Sequence, residues 1–441
     1  MTIFNLNEGA LAPLSNEFDI DSFEVTGQIP SDLNGVLLRN GPNPFSGRFD
    51  GHDLLAWWPE AAMLHGLYFS NGRAERYRNR WARTRDWASV HARDQMDSLL
   101  DSNPSINIIS HAGELLALAE GGKPLAINTE LESLGPSNQS GISNGVAAHP
   151  KKDPQTGELI TFRANWDHPW LSYGVLDPTG KEVFSTHIDI QSPMMMHDMA
   201  ITPTHSVLFD LGVAYDFSMM KQGYSIPLRW HKERQCRIGI IPRYGGALRW
   251  FKIESCFIQH IANAYNGPDG TIIIDAVRYP WYMRAVQSQA KFEANPLAVL
   301  WRYTISVESG KINESAVDEL GVEFPRINES LVGQKYHYLY VAEQPTNKEI
   351  RGVVRYDVNT GLTTKFAVPP GDQNGEPVFV AKPKPCAEDD GWILFYVYRA
   401  KTDRSDLVIL NASDMSGDPQ AVVHLPHRVP AGFHATWIAS D

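Results

Sequence analysis

Short apolar runs bounded by glycine, proline, asparagine and aspartate recur along almost the whole chain, and they constrain its fold more than any other feature of the sequence. The clearest are residues 35–39, 159–163, 206–211, 271–277, 352–358, 391–399 and 407–411. Each has the length and the β-branched or aromatic content of a strand and is too short for a helix that buries a face. Turn signals separate them, as in DPTG (177–180), GPDG (267–270) and DVNTG (357–361); there Gly, Pro, Asn and Asp supply the backbone angles of tight connections. Only the segments around 87–100 and 282–294 keep a helical period. The pattern is that of an all-β chain with a few inserted helices.

A sheet protein of 441 residues must dispose of its strand edges, and closure into a barrel or a propeller of four-stranded blades does so. No Pro/Ser-rich linker, low-complexity tract or charge block divides the sequence, so one domain spanning residues 1–441 is expected. With 43% hydrophobic and 20% charged residues the chain can fill a large core and is not of the disordered class. Its net charge of −12 argues against nucleic acid as a partner, because phosphate-backbone binding needs a concentrated basic surface. Cys236, Cys256 and Cys386 have no CxxC spacing and read as reduced thiols of a cytoplasmic protein. No signal-peptide pattern is expected at residues 1–21, and no apolar run approaches the length of a spanning helix.

Of the 15 histidines, four stand out by context: His149 in VAAHPKKD, His197 in MMMHDMAIT, His260 in FIQHIANAY and His434 in PAGFHATW. They are 48, 63 and 174 residues apart, and the first two intervals are close to one four-stranded blade with its loops. Equivalent positions on different blades point at a common axis. Neutral imidazoles brought there on strands suit Fe, Cu, Zn or Ni, and the ligand set does not choose among them.

These segments, with LNGVLLRNGPNPF (33–45), NRWARTRDW, LLALAEGG, AAHPKKDPQTGEL, RIGIIPRYG, QHIANAYN, EFPRIN, EPVFVAKP and RVPAGFHATW in order, resemble the carotenoid cleavage oxygenases. That family includes apocarotenoid oxygenases, the retinal-pigment-epithelium isomerohydrolase and lignostilbene dioxygenases. The resemblance implies a seven-bladed β-propeller with a helical or loop cap over the metal-containing face, and Fe(II) held by His149, His197, His260 and His434. It implies three glutamates behind the imidazoles, placed on Glu120 in LALAEGG, Glu323 in EFPRIN and Glu388 in AEDDG. A carboxylate there fixes the imidazole N–H and raises ligand basicity; three against four leave one histidine partnered otherwise.

The activity so implied is cleavage of a conjugated C=C bond of a hydrophobic alkene by O2, giving two carbonyl products. Redox-neutral isomerohydrolysis and a non-enzymatic binding propeller are the other readings. Trp166, Trp170, Tyr173 and Tyr265, near the ligand motifs, either line a substrate tunnel or fill the core. Ile106 stands where many relatives carry threonine, so no role for a hydroxyl is transferred, and FDGHDLL (49–55) departs from the family by placing His52 at an acidic position. Members that cleave hydroxystilbenes carry a lysine before the first glutamate and a tyrosine after the N-terminal Arg-Thr; here these are Ala119 and Trp87. An apolar end of the cavity favours an apocarotenoid or carotenoid over phenolic stilbenes or phenylpropenoids. Met219–Trp230 matches the region where relatives carry an apolar surface at the tunnel mouth, giving an expected peripheral membrane contact.

Overall fold

The structure is a computed structural model that describes residues 8–45, 48–49, 52–53, 61–91, 102–224, 226–286 and 291–440. Its strands form seven antiparallel blades. Blade 2 runs outward through Asn107–His111, Glu114–Leu118, Leu125–Ile127 and Ser133–Pro136; blade 3 through Lys151–Lys152, Leu159–Ala164, Leu171–Leu176 and Glu182–His187. Blade 4 comprises Ala200–Ile201, His205–Asp210, Arg237–Pro242 and Arg249–Lys252. Blades 5 and 6 share one long strand, Ile312–Arg326. Its first part pairs outward of Phe257–Asn266, Thr271–Tyr279 and Val299–Ser306, and its last part begins the next blade beside Tyr338–Glu343, Val353–Asp357 and Thr363–Phe366.

Blades 7 and 1 close the ring with both ends of the chain. Glu24–Gly27 pairs with Ala421–His424 at the rim of blade 7, outside Val378–Ala381, Gly391–Arg399 and Arg404–Asn411. Ala435–Ala439 pairs with Gly35–Pro42 in blade 1, in a register that sets Arg39 opposite Ala435; Ala62–Ser70 and Arg73–Trp81 complete that blade. Edges that a lone sheet would expose are thereby paired. Burial falls from the middle of a blade to its rim: Leu171–Leu176 is almost wholly buried whereas Glu182–His187 alternates between exposed and half-buried. Apolar residues of adjacent blades interdigitate, as Ile160, Val175, Val207 and Ile238 do.

The helical expectations were only partly met. Arg85–Val90 is helical, capped by Thr84, whose side chain accepts from Trp87 N, and the continuation of that segment through 92–101 lies outside the described residues. Around 282–294 there is instead a hairpin, Ala285–Val286 against Lys291–Phe292. Met283 takes a left-handed φ of 52°, Tyr282 stacks on Phe257 and the Tyr224 hydroxyl donates to Val286 O. Those contacts, flanked by Pro280 and Pro296, override a weak helical period. The insertions among the blades are thus loops, hairpins such as Val213–Tyr215 with Leu228–Trp230, and single helical turns such as Ser218–Lys221. No helix among the described residues is long and apolar enough to cross a membrane.

Candidate metal centre

Six of the seven innermost strands deliver a polar side chain to the centre of the ring. His149 stands two residues before Lys151–Lys152 of blade 3, His197 before Ala200–Ile201 of blade 4, His260 within Phe257–Asn266 of blade 5 and His434 immediately before Ala435–Ala439 of blade 1. All four are buried, and one nitrogen from each lies within 4.8 Å of the others. The His197 and His260 Nε2 atoms are 3.3 Å apart, and the His149 ring centroid lies 4.5 Å from those of both His197 and His434.

Glutamates stand behind three of the four rings. His260 Nδ1 is 2.5 Å from Glu323 Oε2, and His434 Nδ1 is 2.9 Å from Glu376 Oε1. His197 Nδ1 is 2.5 Å from Glu120 Oε1, a close contact not aligned as a hydrogen bond. Glu120, after the second strand of blade 2, is the most accessible of the three at 27%, against 5% for Glu323 and 2% for Glu376. The expectation at Glu388 is corrected: its Oε1 accepts the backbone N–H of His337 and Tyr338, pinning a turn of blade 6 rather than a histidine of the cluster. Glu376, missed in the sequence, occupies that place two residues before Val378–Ala381. Its signal was the EPVFVAKP motif, in which the glutamate directly precedes the inner strand of blade 7.

Burial and partners settle the protonation of these groups. Burial pushes His434 down to about 4 and His149 well below the usual imidazole value, with the neighbouring histidines adding to the shift. Burial likewise opposes a charge on Glu376, but Arg326 and His434 hold it at about 2. Because His434 is neutral near pH 7, Arg326, whose Nη1 is 2.9 Å from Glu376 Oε2, is the partner that keeps that carboxylate ionised. Burial lowers His260 and raises Glu323, yet their mutual contact prevails and moves each toward its charged form. Glu323 is further fixed by Tyr279 Oη and Phe324 N. In the neutral rings of His260 and His434, Nδ1–H turned to a carboxylate leaves the Nε2 lone pair directed at the cluster.

The residues fit a divalent metal. His149 Nε2 is buried without a hydrogen-bond partner, and the His197 and His260 Nε2 atoms, 3.3 Å apart, are spaced so that one cation could be shared between them. Metal–imidazole bonds of about 2.1 Å separate neighbouring ligand nitrogens by roughly 3.0 to 3.4 Å, which agrees with that spacing. Three carboxylates offset the charge of a metal and of Arg326 in a dry interior.

Asp198 ties three of the histidine segments together, a role the sequence did not reveal. Its Oδ1 is 2.6 Å from Lys151 Nζ and accepts Met199 N, while Oδ2 accepts Ile261 N at 2.8 Å. One buried carboxylate therefore links the strand after His149, the residue after His197 and the residue after His260. Lys151 thereby anchors the strand that follows His149, the ring without a glutamate, to the segments of His197 and His260.

The expected tunnel residues divide. Tyr173 and Tyr265 are core: the Tyr173 hydroxyl donates to Arg243 O and meets Ser206 Oγ, and Tyr265 packs edge-on against Tyr336 inside the blade 4–5 cluster. Ile106 is buried, and its carbonyl accepts the His434 backbone N–H. Ala119 is half-buried beside Glu120. Trp87 stacks on His91 beneath Arg83, whose charge is met by Glu17. Trp170 is half-buried against the core. Trp166 is 62% exposed and forms an aromatic group with Tyr215 and Phe217. Within Met219–Trp230 the expected surface residues Met219, Tyr224, Ile226 and Leu228 are buried: Ile226 and Leu228 join the large core cluster and Tyr224 packs on Phe292. The exposed apolar surface is Trp166, Phe217 and Met220. The departure at FDGHDLL lies largely outside the described residues, apart from the pairing of Arg48–Phe49 with His52–Asp53.

Comparison with known proteins places this arrangement. The chain matches the family described as retinal pigment epithelial membrane protein (RPE65) over residues 11–439. It is 32% identical to the carotenoid cleavage oxygenase of Mycobacterium tuberculosis, covering 98% of this chain and 96% of that one, and 28% identical to the apocarotenoid-15,15'-oxygenase of Synechocystis, covering 96% and 94%. The lignostilbene dioxygenase of Pseudomonas brassicacearum superposes with a TM-score of 0.88 at 25% identity over 99% and 98% of the two chains. Cobalt-substituted apocarotenoid oxygenase of Synechocystis superposes with a TM-score of 0.85 at 25% identity over 97% of each. The chain belongs to the RPE65 family of carotenoid oxygenases, as a seven-bladed propeller and an enzyme of the carotenoid-cleavage dioxygenase type.

Proposed function

We propose that His149, His197, His260 and His434 hold one Fe(II), and that the protein splits a conjugated C=C bond of an apocarotenoid or carotenoid with O2. One alkene and one O2 become two carbonyl compounds, each carbon of the former double bond taking one oxygen atom. The observation that carries this reading is the convergence of four buried imidazoles, three of them backed by carboxylates, on one axis. When bound, the iron supplies open coordination positions and the redox chemistry by which O2 reacts with an alkene.

The protein's own residues do the rest. Glu323 and Glu376 hold the Nδ1 protons of His260 and His434, Glu120 stands against Nδ1 of His197, and the three orient the rings toward the metal. Phe324, stacked on His260 at 5.4 Å and edge-on to His434 at 5.6 Å, keeps water from one side of the cluster. The Trp166–Tyr215–Phe217 group, whose Tyr215 feels the charge of Glu120, is the mouth through which a long apolar substrate enters and the surface that meets a lipid layer.

Substrate preference is read from Ala119 and Trp87. Neither offers a cation or hydroxyl to a phenol, and a buried phenol without partners costs about 1 to 3 kcal/mol, so a polyene is favoured over a 4-hydroxystilbene. The test is incubation of the iron-loaded protein under 18O2 with apocarotenals, carotenoids and 4-hydroxystilbenes. Aldehydes from an apocarotenal, labelled with 18O, are expected; turnover of the stilbene alone, or products without label, refutes the reading.

A further inference from the structure

A partly open pocket, apart from the four-histidine cluster, lies against Phe324. It offers about 50 Å³ to water-sized occupants and is lined by Arg39, Phe324, Asn374, Gly375, Tyr396 and Gly432 among others. Since about 10 to 15 Å³ of such space suffices for one water, it has room for a few water molecules or one small ion. Phe324 separates it from the histidine cluster by the thickness of one ring.

Arg39 is the unusual wall of this cavity. It is 4% exposed, yet among the described residues no carboxylate oxygen lies within the 4.0 Å of an ion pair. Its Nη1 donates to Pro430 O at 2.9 Å, and the guanidinium lies over the Tyr396 ring, 5.5 Å from its centre. The nearest acid in the same field, Glu376, is already engaged by Arg326 and His434. A guanidinium stays protonated, and a buried cation without a counter-charge is among the costliest arrangements in a protein interior.

Two glycines border the space beside it. A Cβ at Gly375 falls 3.4 Å from Arg39 Nη2, and one at Gly432 falls 3.2 Å from the same atom. Neither glycine has a positive φ; Gly432 is required by the close approach of Asn40 O, 2.9 Å from where its Cβ would stand, whereas an added methyl at Gly375 fits in ordinary contact and takes up space beside Nη2. That nitrogen offers donors toward the cavity with no protein acceptor. Tyr396, which also lines the cavity, has a buried hydroxyl without a partner.

We propose that this cavity is an anion site, in which Arg39 binds one small monovalent anion of halide or formate size. It is distinct from the four-histidine centre and shares only Phe324 with it. Its occupant balances the one buried cation that the glutamates of the centre leave uncompensated.

The test is thermal unfolding of the full-length protein in sodium gluconate, titrated with sodium bromide or sodium formate at constant ionic strength. In the wild type a saturable rise in Tm of about 2 °C or more at 100 mM is expected. Gly375→Ala, whose added methyl makes only ordinary contacts, should lose most of that rise, and Arg39→Met all of it; should Arg39→Met fail to fold, Gly375→Ala decides. Crystals soaked in bromide should show an anomalous peak beside Arg39 Nη2. No saturable rise in the wild type, an unchanged rise in Gly375→Ala, or a bromide-soaked cavity that holds only water overturns the proposal.

Discussion

Replacing Glu376 with glutamine separates the geometry of the centre from a reading based on motif alone. The carboxylate serves three donors: His434 Nδ1 at 2.9 Å, Ala435 N at 2.8 Å and Arg326 Nη1 at 2.9 Å. A glutamine has one acceptor oxygen. If that oxygen keeps Ala435 N and Arg326, the amide NH2 faces His434 Nδ1. The ring proton is then driven to Nε2, where it occupies the lone pair a metal needs. Losing a charged hydrogen bond to the imidazole costs about 1.5 to 3 kcal/mol, which matches the 10- to 100-fold loss of metal affinity typical of such partners. Glu388→Gln is the contrast, because Glu388 uses one oxygen to accept two backbone N–H groups and an amide oxygen can do the same. Anaerobic competition of Fe(II) or Co(II) between protein and a chelator reads both variants. A Glu388→Gln protein that loses tenfold or more in affinity, beside a Glu376→Gln protein that binds as the wild type, refutes the assignment.

Alanine at His149, His197, His260 or His434 should remove bound iron and activity, measured by metal analysis and oxygen uptake, whereas alanine at the exposed His168 or at His205 should leave both near wild type. Asp198→Asn should lower thermal stability by about 2 to 4 kcal/mol and, unlike a purely structural lesion, shift the visible spectrum of the Co(II)-loaded protein; an unchanged spectrum with the same loss of stability assigns Asp198 to folding alone. Trp166→Glu and Phe217→Glu should weaken sedimentation with lipid vesicles while unfolding cooperatively, and Ile226→Glu should fail to fold because Ile226 is core; retention of full vesicle binding in the first two removes the proposed membrane contact.

The parts of this structure legible in the sequence are those carried by short-range chemistry. Strand runs such as 271–277 and 391–399 announce themselves by composition and turns, and the four histidines by local motif and blade-length spacing. What was missed depends on contacts between blades. Glu388 sits in an acid-rich turn that looks like a partner for a histidine, but nothing local shows that its carboxylate is consumed by the turn of blade 6. Glu376 reaches His434 across 58 residues of sequence. Asp198 was hidden for the same reason, since Lys151 and Ile261 meet it only once three blades are assembled. Tyr173, Tyr265, Ile226 and Leu228 show that an aromatic or apolar side chain near a ligand motif has no address until the packing decides which side of a strand it takes.

The pairing of Ala435–Ala439 with Gly35–Pro42 gives the chain a temporal order. A nascent polypeptide has His149, His197 and His260 available long before the strand that carries Ala435 emerges, so the site is three-quarters built and open at one side until the ring shuts. The same short strand that completes blade 1 brings the fourth imidazole with it. Ring closure and site completion are therefore one event. A metal held by all four rings would tie the strand that closes blade 1 to blades 3, 4 and 5.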